Sequence, residues 1–314
     1  MPDNHICPIT YEIISANKLY SDKGLKLLAP KLKNLNRLPY TSKEQLIEAS
    51  NRSDKMSIQG VQPKLSAKLS IKNEQFELCD TGGNYILKPE HQLYTELPQN
   101  EDLTMRLAHD ITDVPLHGLM YCIDGSFTYF IKRFDRVGKG NKIPTEDFAQ
   151  LLGLTRYSKY DCSMEKIIPV IDKYCTFPKI EKVKLFTRVI FNYIVGNEDM
   201  HLKNYSLISN NNITQLAPAY DYLNTTLAIG INKTKEQMAL SVNGKKNNLL
   251  RKDLIDYYGI ERLELDLDII NNILKKIKLS LPKWNDIIEI SFLSNYSKEI
   301  YKLILNKRTK IIAL

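Results

Sequence analysis

Nowhere does the sequence run to about eighteen consecutive apolar residues, the length a membrane-spanning helix requires. Residues 1–11 lack the basic start and apolar core of a secretory leader. There is no long Gly/Ser or Pro tract and no internal repeat, which excludes a flexible linker and a solenoid. Cysteine is sparse. The five residues, Cys7, Cys79, Cys122, Cys162 and Cys175, are odd in number and scattered, and no pair has the spacing of metal ligands. This pattern argues against a disulfide framework or a zinc site and fits reduced thiols in a cytosolic, hence cytoplasmic, protein.

What remains is ordinary globular composition: 314 residues, 43% hydrophobic and 25% charged, enough for one large domain or two lobes. Two lobes meeting at a cleft are expected. The formal net charge is +8, with the excess concentrated late, at Lys245, Lys246, Arg251, Lys252, Lys275, Lys276, Lys278 and residues 307–310. Such a balance suits an acidic partner, including a nucleotide or nucleic acid. Solvated helix faces would produce the same excess, so charge alone identifies no DNA binder.

Residues 1–50 are mixed in pattern. Gly60-Val61-Gln62-Pro63-Lys64 reads as a turn, and residues 65–71 alternate as a strand. Residues 76–79 could pair with it. After Gly82-Gly83, Tyr85-Ile86-Leu87-Lys88 is another short strand, ended by Pro89 because proline supplies no ladder donor. Residues 100–111 predict a helix with Leu103, Leu107 and Ile111 on one face. Residues 117–123 and 127–132 flank the hairpin signal Asp124-Gly125. From about residue 145 helical spacing takes over, at 146–152, 164–174 and 180–195. The last of these should be buried and stops at Gly196. Residues 197–204 form a polar loop, 205–208 and 213–216 a hairpin, and segments 266–277 and 297–305 further helices. A sheet-rich N-lobe over residues 1–133, followed by a helical C-lobe over 134–314, is an α+β arrangement.

The segment Gly196-Asn197-Glu198-Asp199-Met200-His201-Leu202-Lys203-Asn204 carries the chemistry. Phosphoryl transfer to a hydroxyl needs a carboxylate to orient the acceptor and take its proton, and oxygen ligands for Mg²⁺ at the phosphates. In protein kinases the base Asp and a metal-binding Asn lie five residues apart on one loop, as Asp199 and Asn204 do. Asp221 follows the hairpin, seventeen residues past Asn204, as the second metal-binding carboxylate, although Tyr222-Leu223 stand where Phe-Gly is usual. Lys203 could neutralise the transferring phosphate. His201 belongs with the nucleotide site, with a structural role in orienting the loop. In the first lobe, Lys88 at a strand end and Glu101 at a helix start have the types required to hold phosphates. Upstream, Ser57 to Lys64 could cover the phosphates, with Gly60 permitting close backbone approach and Lys64 adding charge, but its single glycine makes a weak signal.

These motifs resemble the HipA-type serine/threonine kinase toxin family. Ser57-x-x-Gly60-x-Gln62-x-Lys64 resembles its phosphate loop, Asn84-Tyr85-Ile86-Leu87-Lys88-Pro89 its lysine strand, and Asn100-Glu101 its helix start. Arg133-Phe134-Asp135-Arg136 and Glu146-Asp147-Phe148-Ala149-Gln150-Leu151-Leu152-Gly153 are similar to the hinge and the helix after it. The loop at residues 197–204, Tyr220-Asp221, Met238-Ala239-Leu240-Ser241 and Gly244-Lys245 complete the set, covering roughly residues 57–262. The resemblance implies a bilobal protein-kinase-like fold, ATP and Mg²⁺, Asp199 as base, and Asn204 and Asp221 as metal ligands. It implies Lys88 on the phosphates and the backbones of Lys132 and Phe134 on adenine. It also implies autophosphorylation at Ser57, with Ser53 as a rival. A phosphate there would add about −1.5 to −2 charge beside the ATP phosphates and switch the enzyme off.

Relative to full-length members, the chain lacks about a hundred N-terminal residues and looks like the short HipT-type members of HipBST systems. That resemblance implies a HipS-like small antitoxin and a HipB-like DNA-binding protein as partners, and an aminoacyl-tRNA synthetase as substrate, the tryptophanyl enzyme being one candidate. Two alternatives stand beside it: a small-molecule or lipid kinase on a similar scaffold, and a non-catalytic partner in a DNA-bound autoregulatory complex.

Overall fold

A computed structural model of the protein describes residues 5–52, 62–138, 141–155 and 158–314. The chain divides into two compact units. The first comprises Met1–Leu103, Pro115–Asn141 and Ile290–Leu293, and the second comprises Thr104–Val114, Lys142–Glu289 and Ser294–Leu314.

The first unit opens with a two-stranded ribbon, β1 (His5–Ile6) and β2 (Ile13–Ile14), followed by α1 (Asp22–Leu28) and α2 (Ser42–Asn51). Thr41 caps α2 in a reciprocal box with Glu44, which explains its start. The main sheet contains β3 (Leu65–Ser70), β4 (Gln75–Leu78), β5 (Tyr85–Lys88), β6 (His117–Tyr121) and β7 (Phe127–Lys132). Its strand order is β4-β3-β5-β7-β6, all antiparallel. Burial along the strands does not alternate: Leu65–Ala67, His117–Met120 and Thr128–Ile131 are buried without a break, so both faces of the sheet are largely covered. Leu65, Ala67, Tyr85, Leu87 and Phe130 join one apolar cluster with Cys7, Ile9, Tyr20, Leu25, Leu28, Leu32, Leu35 and Leu38. The unpatterned first fifty residues therefore supply half of this unit's core. α3 (Leu97–Ala108) starts three residues earlier than the spacing predicts, because Pro98 is tolerated in a first helical turn. A short ribbon, β8 (Arg136–Val137) with β9 (Asn141–Lys142), follows β7.

The second unit is mainly helical. Residues 146–152 do not form the expected single helix. Thr145–Asp147 is strand β10, and only Phe148–Leu151 is helical, as α4. The reason is local: the Asp147 carboxylate accepts from the Gln150 amide while the Gln150 side chain accepts from the Asp147 amide, which holds Asp147 extended. A 3₁₀ turn (Met164–Ile167) leads into α5 (Ile168–Tyr174), then α6 (Pro178–Val195). From Leu185 to Val195 every α6 side chain is buried. β11 (Ser206–Asn210) and β12 (Ile213–Leu216) form the expected hairpin around Asn211 and Asn212, both at positive φ, and β10 pairs with β11. α7 (Thr225–Ile229) and a π-helical segment (Lys252–Arg262) precede two long helices, α8 (Leu267–Ile290) and α9 (Asn295–Ile311). Both outrun the predicted segments. α9 packs on α6. Among the described residues no helix is long and apolar enough to cross a membrane.

Candidate active site

The Asp199 loop grows from the end of α6. Gly196 ends that helix at φ 73, and its amide reaches the carbonyls of Asn192 and Tyr193. A Cβ there would also lie 2.9 Å from Ile304 Cγ2 and from Thr226 Oγ1, so glycine is required by both conformation and space. The Gly196 carbonyl accepts from the hydroxyls of Thr225 and Thr226, each at 3.1 Å. Buried Asn197 then bridges: its Nδ2 donates to Asn192 Oδ1 at 2.8 Å, and its Oδ1 accepts from the Asp199 amide at 3.2 Å. The Asp199 carbonyl accepts from the His201 amide at 2.8 Å and from Asn204 Nδ2 at 2.9 Å. Asp199 and Asn204, paired by spacing in the sequence, are thus joined directly. With its nitrogen committed to the loop, Asn204 has Oδ1 left as the hard oxygen a divalent cation prefers.

Asp221 reaches the same region by a different route. Arg188, buried on α6, donates to the Ala217 carbonyl at 2.7 Å and to Asp113 at 2.8 Å, fixing the strand that leads to Asp221. The Tyr220 hydroxyl contacts Ser206 Oγ at 2.5 Å and donates to the Lys203 carbonyl at 3.0 Å, tying the residue before Asp221 to the loop. Asp221 itself sits at φ 57, a left-handed conformation that Asp tolerates better than most residues and that often marks functional positions. His201 senses both carboxylates. Burial and the nearby Lys159 ammonium lower its pKa, while the charges of Asp199 and Asp221 oppose them. Lys159 Nζ lies 2.8 Å from His201 Nε2. Lys203 Nζ lies 3.4 Å from Asp147 Oδ2.

One neighbour of Asp199 was not expected. Glu198 accepts from Arg308 Nη2 at 2.9 Å and from Thr226 Oγ1 at 2.8 Å. Arg308 falls within the 307–310 basic run, which reads as a solvated face. Instead it is buried, with its guanidinium 4.9 Å from the Tyr193 ring centroid. The signal was in the sequence: Tyr301, Ile304, Leu305 and Arg308 follow i, i+3, i+4, i+7, so Arg308 lies on the apolar stripe of α9.

In the first unit, Lys88 at the end of β5 forms an ion pair with Glu101 of α3, and both side chains are only 2% exposed. Lys88 Nζ also lies 5.7 Å from the Tyr129 ring centroid. The next residue of α3, Asp102, accepts from the Tyr11 hydroxyl at 2.8 Å and lies 3.1 Å from His117 Nδ1. Neither Tyr11 nor His117 stood out as a positioning residue in the sequence. The Lys132 amide donates to the Leu116 carbonyl at 2.8 Å. Asp135 is gripped by Arg133 and Arg136; burial alone would raise its pKa, but the two guanidinium groups hold it below the usual value. Gln62 Nε2 is buried with no hydrogen-bond partner among the described residues, and Lys64 is half-buried. Gly60, Ser57 and Ser53 lie outside the described residues. Among the described residues no group of three or more His, Cys, Asp or Glu side chains could hold a metal ion. A pair of protein oxygens, Asn204 Oδ1 and the Asp221 carboxylate, fits the habit of Mg²⁺, which uses few protein ligands and completes its shell with phosphate oxygens and water.

The second unit holds a helix-anchored Asp–Asn loop and a strap carrying a left-handed Asp, and the first unit holds a strand Lys paired with a helix Glu; these are the residue types that phosphoryl transfer uses. Comparison with known proteins agrees. The HipA-like C-terminal domain family matches residues 56–284. A protein of Haemophilus influenzae, named provisionally as a kinase, is 30% identical over 272 residues, covering 81% of this chain and 79% of that protein. The serine/threonine-protein kinase toxin HipA of Shewanella oneidensis is 24% identical, over 78% of this chain and 62% of the toxin. The solved complex of Shewanella oneidensis MR-1 HipA, HipB and operator DNA superposes with a TM-score of 0.69 at 20% identity, covering 90% of this chain and 74% of that one. The Helicobacter pylori proinflammatory kinase CtkA gives 0.54 at 18% identity, over 78% and 90%. The chain belongs to the HipA-like C-terminal domain family. It is an α+β protein of protein-kinase-like fold and a kinase by class.

Proposed function

We propose that the chain is the serine/threonine kinase toxin of a toxin–antitoxin system, moving the ATP γ-phosphate to a serine of an aminoacyl-tRNA synthetase, and to itself, and so stopping growth. One observation carries the reading: Asp199 and Asn204 are held to each other in a loop braced by buried side chains, with Asp221 tied beside it through Tyr220. Asp199 orients the acceptor hydroxyl and takes its proton. Asn204 and Asp221 hold the metal, which when bound neutralises charge on the phosphates. Lys203 adds a further positive charge there. Lys88, oriented by Glu101, meets the phosphates with Gly60, Gln62 and Lys64. The Lys132 and Phe134 backbones take adenine, and His201, neutral and fixed by Lys159, keeps the loop in shape. Nucleotide-side residues fall largely within 1–133 and transfer residues within 134–314, the functional division proposed for the chain.

The Shewanella relative is a HipA toxin, and its solved complex contains HipB and operator DNA. By analogy we assign a HipB-like DNA-binding partner, with DNA reached only through the complex. We also propose a HipS-like small antitoxin as a second restraint, as in HipT-type systems. Ser57 is the proposed autophosphorylation site and Ser53 its rival. The test is to incubate the protein with ATP and Mg²⁺ beside each of a set of purified aminoacyl-tRNA synthetases and to map phosphoserine by mass spectrometry. Phosphate on a synthetase serine supports the assignment. Phosphate on Ser57 alone, with every synthetase unmodified, overturns the substrate class.

A further inference from the structure

Tyr160 is the one described side chain that meets the Asp199 carboxylate: its hydroxyl donates to Asp199 Oδ1 at 2.5 Å. That is the hydrogen bond an acceptor hydroxyl must make before transfer. The contact is built from several directions. Lys159 Nζ lies 2.8 Å from His201 Nε2, and the Tyr160 ring stands edge-on to the His201 ring with centroids 5.1 Å apart. Lys159 Nζ also caps the Tyr160 ring at 4.7 Å, and the Leu202 amide donates to the Lys159 carbonyl at 3.4 Å. Two consecutive residues thus grip the proposed catalytic loop at its base-bearing end. Tyr160 is nevertheless 38% exposed, so an incoming chain can reach and displace it. Burial and the Asp199 charge push the phenol's pKa upward, so it stays protonated and continues to donate through neutral pH.

We propose that Tyr160 is an internal stand-in for the acceptor hydroxyl, occupying the acceptor's place at Asp199 until a docked protein acceptor displaces it and keeping water from the base meanwhile. The inference rests on Asp199 being the base. When the phenol swings away, the acceptor oxygen attacks the γ-phosphorus of ATP and a new P–O bond forms. The bond from that phosphorus to the β,γ-bridging oxygen breaks, ADP leaves with the electron pair, and the acceptor's proton passes to Asp199. With water as acceptor the same balance gives ADP and inorganic phosphate, a waste that Tyr160 suppresses. The residue selects for acceptors able to compete for its place, namely serines on folded partners that also bind nearby.

The test uses the full chain, Y160F and D199N, with ATP and Mg²⁺ and no acceptor protein. Y160F retains the ring that packs on His201 and loses only the hydroxyl. A hydrogen bond to a charged group held in place should suppress the competing reaction by about tenfold, so hydrolysis by Y160F should rise by about that factor. A merely structural tyrosine would lose activity on substitution. In parallel, a water-soluble carbodiimide should label Asp199 several-fold faster in Y160F, a readout independent of turnover. Equal hydrolysis and equal labelling in Y160F and wild type, with D199N inactive, overturn this inference alone. D199N hydrolysing at the wild-type rate overturns the base assignment and this inference with it. Phosphate appearing on Tyr160 in the wild type shows that it is an acceptor and overturns the stand-in role.

Discussion

Arg308, near the end of the last helix, forms an ion pair with Glu198, the residue immediately before Asp199, and the two side chains are only 7% and 8% exposed. The last helix thus reaches the loop that carries Asp199 through a buried ion pair. Burial raises the Glu198 pKa, against the opposing effects of Thr226 and Arg308, so the carboxylate depends on its partners to remain charged.

Removing one member of this pair should be severe. R308M leaves a buried carboxylate without its cation and should cost about 3 kcal/mol of stability in urea unfolding. It should also lower phosphotransfer, since Glu198 carries Asp199 with it. The double variant E198Q/R308M should recover at least half of the lost stability. R308M within a few tenths of a kcal/mol of wild type would mean that the pair contributes nothing.

The Lys88–Glu101 pair follows the same logic with a different functional outcome. K88M should destabilise the protein by about 3 kcal/mol or more, because Glu101 is left buried and charged. K88M/E101L should restore folding. Nucleotide affinity, measured with a fluorescent ATP analogue, should remain lost in both. If the double variant binds nucleotide as tightly as wild type, Lys88 is a structural lysine and no phosphate ligand.

Glu90 sets a pH dependence. Burial raises its pKa from 4.5 to about 7, although the backbone amides of Glu96 and Leu97 pull the other way, and one of its oxygens is buried with no partner among the described residues. The folded protein thus retains a proton that the unfolded chain releases. Stability from this group is full below pH 4.5 and declines as the pH rises through about 7. E90Q, neutral throughout, should be more stable than wild type at pH 8 by roughly 1–2 kcal/mol, after allowing for partial exposure. The two should converge near pH 5. Parallel stability curves from pH 5 to 8 would contradict this.

Much of the molecule was legible wherever a local pattern coincides with a local cause. The strand expected at residues 65–71, the Asp124-Gly125 turn, the apolar face of α6 and its Gly196 stop all appear, although burial along that strand does not alternate. The spacing of Asp199 and Asn204 singled out a loop that the structure closes by a hydrogen bond from Asn204 Nδ2 to the Asp199 carbonyl. What escaped depends on contacts distant in sequence. The first fifty residues have no single period because they cover a sheet face with a two-stranded ribbon, two short helices and the loops between them. Tyr11 and His117 meet at Asp102, and Tyr160 meets Asp199 across 39 residues of sequence, pairings no local pattern announces. The 146–152 segment was misjudged because helical spacing concealed a cap at Asp147. Arg308 was misjudged because a basic run drew more attention than its place on an apolar stripe.

The central claim is that Asp199 and Asp221 drive phosphotransfer from ATP. The most direct measurement is the intact mass of dephosphorylated wild type, D199A and D221A after incubation with ATP and Mg²⁺, with peptide mapping of any added phosphate. The account predicts phosphate on a serine of the wild type, Ser57 first, and none on either variant, while circular dichroism shows all three folded. Phosphate added equally to wild type and D199A would contradict it.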